Sequence, residues 1–353
     1  MKKMLVCLLT LALLLSACGA APAETTVPKT REFTDSTGRT VTIPETVTKI
    51  AISGPLAQVY IIPLAGDMLV GVCSAFSKDA ELYLPDYIMN AKEIGQLYGG
   101  KGEMDLEALL TAAPDVVIDI GETKSSTKED LENLTQQTGI PFVHVFATVD
   151  TAPDAYRTLG KLLGREEKAE QLATWCESTL AAIDDLMKRV DADNARKGIL
   201  YCLGDAGVNV MARGSFHADT INTMGNNLAV IDEVVPHGDG NETDLEQIML
   251  WNPEVILFDP ASIYEHVGNL EAWQSVAAIK NGNYYEAPYG PYGWLSSPPA
   301  VQRYLGLLWL GELLYPDYTD YDLQEEVSEY YKLFYGCDLT DKMYQNLIIN
   351  ALP

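Results

Sequence analysis

EEKAEQLATWCESTLAAIDDLMKRV, residues 166–190, reads as one long amphipathic helix. Leu172, Cys176, Leu180, Ile183, Met187 and Val190 recur at spacings of three and four, which lays a single apolar stripe along the segment with charged residues opposite. At 1.5 Å per residue such a helix runs about 37 Å. Gly164 closes a shorter helix over 151–163, so the chain turns at Leu163-Gly164-Arg165 and starts again.

Similar text stands on either side of this helix. Residues 105–120 read DLEALLTAAPDVVIDI and residues 244–259 read DLEQIMLWNPEVILFD, with every shared residue offset by 139. Each copy carries an acidic N-cap, Leu, Glu, a two-turn helix, Pro and an acid as a stop, then a buried strand. The period is too long for a solenoid, whose repeats run about 20–50 residues. Two similar α/β lobes joined by a helical strut follow.

The N-terminus carries Lys2 and Lys3, an apolar run from Leu5 to Leu15, and then LSAC ending at Cys18. A charged start and a short apolar run read as a secretory signal over 1–17, too short to span a bilayer permanently. The LSAC sequence resembles a bacterial lipobox, whose cysteine is lipidated. Cys18 is then a membrane anchor and residues 18–31, rich in Ala, Pro and Thr, a flexible tether. The alternative is an ordinary signal cleaved near Ala20 to Ala23.

Losing the signal removes two lysines and no acid, which leaves 22 basic against 50 acidic residues, a net charge of −28. That charge argues against nucleic acid and anionic headgroups as partners. No later apolar run reaches about 18 residues, the length a membrane span needs. Cys73, Cys176, Cys202 and Cys337 show no metal-ligand spacing; lone buried thiols are the simplest reading, and a disulfide among them is open.

Along the chain, residues 33–43 read as a hairpin about Asp35 to Gly38, and 49–53 as a short buried strand followed by a helix to about Leu64. Further strands are expected at 69–72, 116–120 and 142–145, with a helix over 128–138, so the N-lobe covers 32–150 and its strands are parallel. Linking helices fill 151–195. In the C-lobe, 196–353, strands are expected at 197–203, 208–211, 255–258 and 284–285. Helices are expected at 218–224 and 298–314, with a helical tail over 323–335 and 342–347.

Enzyme templates fail. There is no GxSxG and no HExxH, and His144, His217, His237 and His266 are scattered. Residues 95–101, GQLYGGK, begin like a phosphate loop, but Gly102 stands where Ser or Thr would hold magnesium. No catalytic constellation and no bound cofactor emerge.

The order of motifs is more specific than any one of them. A lipobox, then DSTGRTVTIP (35–44), KIAIS (49–53) with a helix behind it, VGV (70–72), Gly95, and Asp105-Leu106-Glu107 with Pro114-Asp115 resemble the ferric-siderophore, haem and cobalamin class of substrate-binding proteins that feed ABC importers. The resemblance covers the mature chain. It implies two Rossmann-like lobes with parallel-rich sheets, one long rigid helix between them, and a ligand held in the cleft. It also implies a non-enzymatic, monomeric, extracytoplasmic protein whose partners are a permease dimer with its ATPase.

The same resemblance gives Glu107 and Glu246 a role, pairing with arginines of the permease, beside their plain effect of complementing a helix dipole. Ligands of open parallel sheets lie at the carboxyl ends of strands. The candidate lining is therefore Gly54 and Pro55, the 73–76 loop with Phe76, the 121–124 loop with Lys124, Asp205, the 213–217 segment with Arg213, Phe216 and His217, and the 259–260 loop. Tyr289, Tyr292 and Trp294 add an aromatic loop suited to stacking on a chelate. Arg213 is the candidate for a carboxylate or oxyanion, its fork being bidentate. The cargo expected is an iron complex or cobalamin-like chelate. Alternatives are a small oxyanion such as molybdate or tungstate, or, less favoured, zinc or manganese, which needs about three His and a carboxylate converging whereas His217, His237 and His266 all lie in one lobe.

Overall fold

The structure, a computed structural model, describes residues 29–97, 104–235 and 238–353. Cys18 and the leader, the Tyr98–Gly102 part of the glycine-rich stretch, and His237 lie outside the described residues.

Strands β1 (Thr30–Thr34) and β2 (Thr40–Pro44) form the expected hairpin, paired antiparallel from Thr30↔Pro44 to Thr34↔Thr40. It starts inside the stretch expected as tether, because Arg31 is tied down: its guanidinium donates to the Leu162 and Glu45 carbonyls at 2.6 and 3.3 Å. β3 (Ile50–Ile52), β4 (Val116–Gly121) and β5 (Phe142–Phe146) build a parallel three-stranded sheet in the order β3-β4-β5. No strand forms over 69–72. Only single parallel bridges pair Ile50 with Leu69 and Val72 with Glu93, and at Gly71 the backbone lies so close that a Cβ would stand 2.5 Å from the Lys92 carbonyl oxygen.

The second sheet holds β6 (Gly198–Leu203), β7 (Asn209–Val210), β8 (Asn226–Asn227), β9 (Asn241–Glu242), β10 (Val255–Phe258) and β11 (Tyr284–Glu286). β6, β10 and β11 are parallel neighbours, β8 runs parallel to the start of β6, and β7 and β9 add an antiparallel extension. The repeat is visible in the register. Ile50 faces Val116 in one lobe, Ile199 faces Val255 in the other, and Val116 and Val255 are 139 residues apart.

The local chemistry repeats as well. The helices Leu106–Ala112 and Leu245–Trp251 are capped by Asp105 and Asp244, each accepting from a backbone N–H three residues on at 2.8 Å. Ala113 and Asn252 end them at φ of +48° and +49°, directly before Pro114 and Pro253. Asp115 then accepts from the N–H groups of Thr48 and Lys49 ahead of β3, and Glu254 from that of Gly198 at the start of β6. The acid after the proline thus fastens each second strand to the beginning of the first.

The linking helix runs Glu166–Ala192, 27 residues, or about 40 Å. It packs on the helix Ala152–Leu163 where Gly160 permits close approach; a Cβ there would stand 2.5 Å from the Ala169 Cβ. Arg157 clamps the pair by meeting both Glu170 and Glu177. One apolar core crosses the molecule from Ile118 and Val143 through Leu172, Ile183 and Val190 to Tyr201 and Leu257. Alternation along the strands divides each sheet: Val116 and Ile118 face this shared core and Val117 an outer one, while Ile199 and Tyr201 face inward and Leu200 and Cys202 outward.

One C-terminal expectation needs correction. The helix read from Pro298 begins at Arg303, because Pro298 and Pro299 leave Pro298–Gln302 as turns. The tail, Leu323–Tyr330 continued by a π turn over Tyr331–Tyr335, is not confined to the C-lobe. Tyr331 packs edge-on against Tyr83 with ring centres 5.2 Å apart, and Phe334 against Tyr156. The last helix, Asp341–Ile348, follows expectation.

A buried ion pair docks the hairpin on β5. Arg39 meets Asp35 at 2.5 Å and also donates to the Phe142 carbonyl, while Asp35 accepts from the His144 N–H. Burial alone would raise the Asp35 carboxyl, but hydrogen bonds from Thr37 and Arg39 and the Arg39 charge outweigh it and hold it below its usual value. A depressed carboxylate stabilises the fold above its unfolded value, and the contribution is lost as pH falls through the folded one. Arg39→Met should therefore cost about 3–5 kcal/mol by stranding a buried charge. Urea unfolding at neutral pH reads this out, with the variant and the parent converging as Asp35 is protonated in acid.

Candidate functional site

The carboxyl ends of β3, β4 and β5 gather a polar network. Ser53 donates to Asp119 at 2.5 Å, the other Asp119 oxygen lies 2.7 Å from His144 Nδ1, and His144 Nε2 lies 2.9 Å from the Thr123 hydroxyl. Asp119 and His144 are buried and Thr123 is exposed. Gly54 caps the helix Pro55–Ala65 with extended backbone and no side-chain cap, and Leu56 of its first turn touches the space beside Gly121. The uncapped helix start and the 121–124 loop are thus neighbours. Lys124 is exposed in that loop, its N–H held by the Thr127 hydroxyl.

On the opposite lobe, Tyr201 donates to Asp259 at 2.6 Å at the end of β10, and Ser262 donates to the Gly204 carbonyl. Asp205 is exposed at the tip of that loop. The guanidinium of Arg213 is turned to its own lobe, where it bonds the Asn227 carbonyl and the Asn226 side chain.

Between the lobes the aromatic loop divides. Tyr292 is buried, accepts from Gln58 at 3.1 Å and meets Phe76 edge-on, so it joins the lobes. Trp294 is fully buried, and of the three Tyr289 alone is exposed.

The residue that sequence reasoning missed is Arg303. It opens the helix Arg303–Leu314, is 1% exposed, and lies with its guanidinium carbon 4.7 Å from the centre of the Phe216 ring. Nη1 donates to the Phe216 carbonyl at 3.0 Å and lies 3.3 Å from Asp219; Nε has no partner among the described residues. Burial pushes Arg303 down and Asp219 up from their ordinary values, so the pair is a poorly solvated one. Phe216 and His217 stand beside it, the two rings edge-on. A signal was present: a cation in the first turn, at the head of the run Tyr304–Gly311, opposes the macrodipole, so helix stability does not explain it.

Glu107 and Glu246 are exposed in the first turns of the two repeated helices, with no ion-pair partner among the described residues. Leu110 and Met249, one turn on and again 139 apart, are exposed at 49% and 36%. Each lobe therefore offers the same patch, a carboxylate beside an apolar side chain. No group of three or more metal-ligating side chains occurs among the described residues, and no described helix is long and apolar enough to cross a membrane.

A family model for periplasmic binding proteins matches residues 78–289. The chain belongs to this family. Its fold is the two-lobed, single-helix class found in structures of siderophore-binding members. The molybdate-binding protein MolA of Haemophilus influenzae is 24% identical over 347 residues, covering 91% of this chain and 95% of that one. A solute-binding protein of an ABC transporter from Sulfurospirillum deleyianum superposes with a TM-score of 0.81 at 27% identity, over 90% of this chain and 99% of that one. MolA bound to molybdate superposes at 0.67 with 20% identity over 88% and 99%. This binding protein is accordingly the solute-capturing part of an ABC transporter and works outside the cytoplasm.

Proposed function

We propose that this binding protein captures a small oxyanion of the molybdate or tungstate kind between its lobes and delivers it to a membrane permease. The buried, incompletely partnered Arg303 carries the reading. A cation in a low-dielectric interior with a vacant donor favours an anion, and an oxyanion accepts from a guanidinium fork. The similarity to a molybdate-binding protein over nearly the whole chain supports the same choice. The resemblance in the sequence favoured an iron chelate, with the aromatic loop as a stacking surface, but Tyr292 and Trp294 are spent on packing, which leaves little aromatic surface for a macrocycle.

Arg303→Met keeps the bulk of the side chain and removes its charge. Calorimetry should give tight molybdate or tungstate binding by the parent and a loss of about 100-fold or more in the variant, with unchanged circular dichroism. Tight binding of a ferric siderophore, haem or cobalamin, and none of molybdate, would establish the chelate reading instead.

Glu107 and Glu246, at equivalent places in the two lobes, meet basic residues of a two-fold permease in this reading. Charge reversal of both to Lys should abolish uptake in cells carrying the cognate importer and leave ligand affinity within about twofold, since like charges at an interface cost several kcal/mol. Normal uptake would reduce the two residues to helix-dipole partners.

Lipidation of Cys18 anchors the protein to the membrane surface in the same scheme. Cys18→Ala should move it from the membrane fraction to the soluble extracytoplasmic one; a variant still in the membrane pellet would remove the anchor.

A further inference from the structure

Thr123 stands exposed at the edge of the N-lobe sheet, at the end of a relay that is otherwise buried. The Asp119 carboxylate is an acceptor, so His144 Nδ1 carries a proton and donates to it. In the neutral ring Nε2 is then an acceptor, and the Thr123 hydroxyl must donate inward to it. Only lone pairs of the hydroxyl then face outward, and these repel an anion. If the ring takes a second proton, Nε2 donates to the Thr123 oxygen, and the hydroxyl hydrogen is released toward solvent.

We propose that Thr123 is a ligand-contacting hydroxyl whose sense is set by His144, so that capture of an oxyanion is accompanied by uptake of one proton at His144 Nε2. The inference rests on the oxyanion reading and deepens it. Its location fits, because the Gly121–Thr123 turn adjoins the uncapped start of the helix Pro55–Ala65, a second donor surface for an anion at the same sheet edge. The proton added to the ring comes from solvent and returns there on release; no bond other than N–H is made or broken.

Charged and polar groups meet His144 from the neighbouring elements. Asp119 faces Nδ1 from β4, its carboxylate 2.7 Å from the ring nitrogen. Asp35, from the hairpin, accepts from the His144 N–H, but its charge is already matched by Arg39. Ser36 of the hairpin donates to the His144 carbonyl, and Ser53 after β3 donates to Asp119. Glu122 and Lys124 flank Thr123 in the loop. Proton uptake coupled to capture makes the affinity fall as pH rises.

The test is calorimetry of the intact protein with sodium molybdate, between about pH 6 and 8, where histidine titrates, in buffers of different ionisation enthalpy. The expected result is uptake approaching one proton per molybdate and affinity falling up to about tenfold per pH unit in the upper part of the range. Thr123→Val, isosteric and at an exposed position, should lose most of this pH slope and bind about tenfold more weakly at the acid end. Thr123→Ser should restore both. Molybdate binding by the parent with no proton uptake, or an unchanged slope in Thr123→Val, overturns the role of Thr123 and leaves the oxyanion reading standing. Failure of the parent to bind molybdate removes both.

Discussion

Every part of this molecule is arranged about a helix that cannot be bent without breaking its own hydrogen bonds. The 27 residues from Glu166 to Ala192 form one ladder, and the stripe they bury belongs to a core that reaches both sheets. A hinge of extended strands lets two lobes swing because each residue's φ and ψ turn almost freely. A helix offers no such freedom, and here Gly160, the Arg157 clamp and Trp175 packed among Tyr304, Tyr330 and Phe334 remove what flexing remains. A continuous helix of this kind favours small, shear-like adjustments of the lobes over a hinge swing. The tail adds to this by packing on Tyr83 of the first lobe and on Tyr156 of the helix that precedes the strut.

The fold was legible for a physical reason. Helix period, N-cap, proline stop and buried strand are local signals, and here they occur twice, so one copy checks the other. Even the acid after each proline proved to have the same job, bonding to the N–H groups ahead of the adjacent strand. What was not legible depended on contacts far apart in sequence. The 69–72 segment has the composition of a strand, yet it makes only isolated parallel bridges, Leu69 to Ile50 of β3 and Val72 to Glu93. Arg213 looked like the anion-binding arginine, but its asparagine partners lie 13 and 14 residues further on and engage its fork within its own lobe. Arg303 was hidden inside an apolar run, and Asp119 and His144, 25 residues apart, meet because β4 and β5 are neighbours in register, with Asp119 directly facing His144.

The two repeated helices show how one motif serves two ends. Their inner residues, Leu109 and Ile248, are buried, and the capping aspartates fix where each helix starts. Once the start is fixed, position three of the sequence Asp-Leu-Glu must point outward in the first turn, and the residue three further on lies on the same face. Duplication of a folding signal thus also duplicates an exposed carboxylate and its apolar neighbour on the two lobes. A surface that recurs in this way suits a partner that is itself two-fold.

The proposed oxyanion cargo must be reconciled with a formal charge of −26, and the resolution lies in distance and dielectric. Exposed carboxylates act through water and are screened within about 8 Å at physiological ionic strength, so they slow the approach of an anion only modestly. Arg303 acts from inside the protein, where the same charge is screened far less, and its single carboxylate neighbour, Asp219, is partly in solvent at 3.3 Å. A buried donor without a partner and a helix start without a cap are each costly to leave unmet. Both costs are relieved by the same kind of ligand, a compact acceptor of hydrogen bonds with negative charge. In the proposed reading the acidic surface sets only the long-range field, and the interior decides what is held.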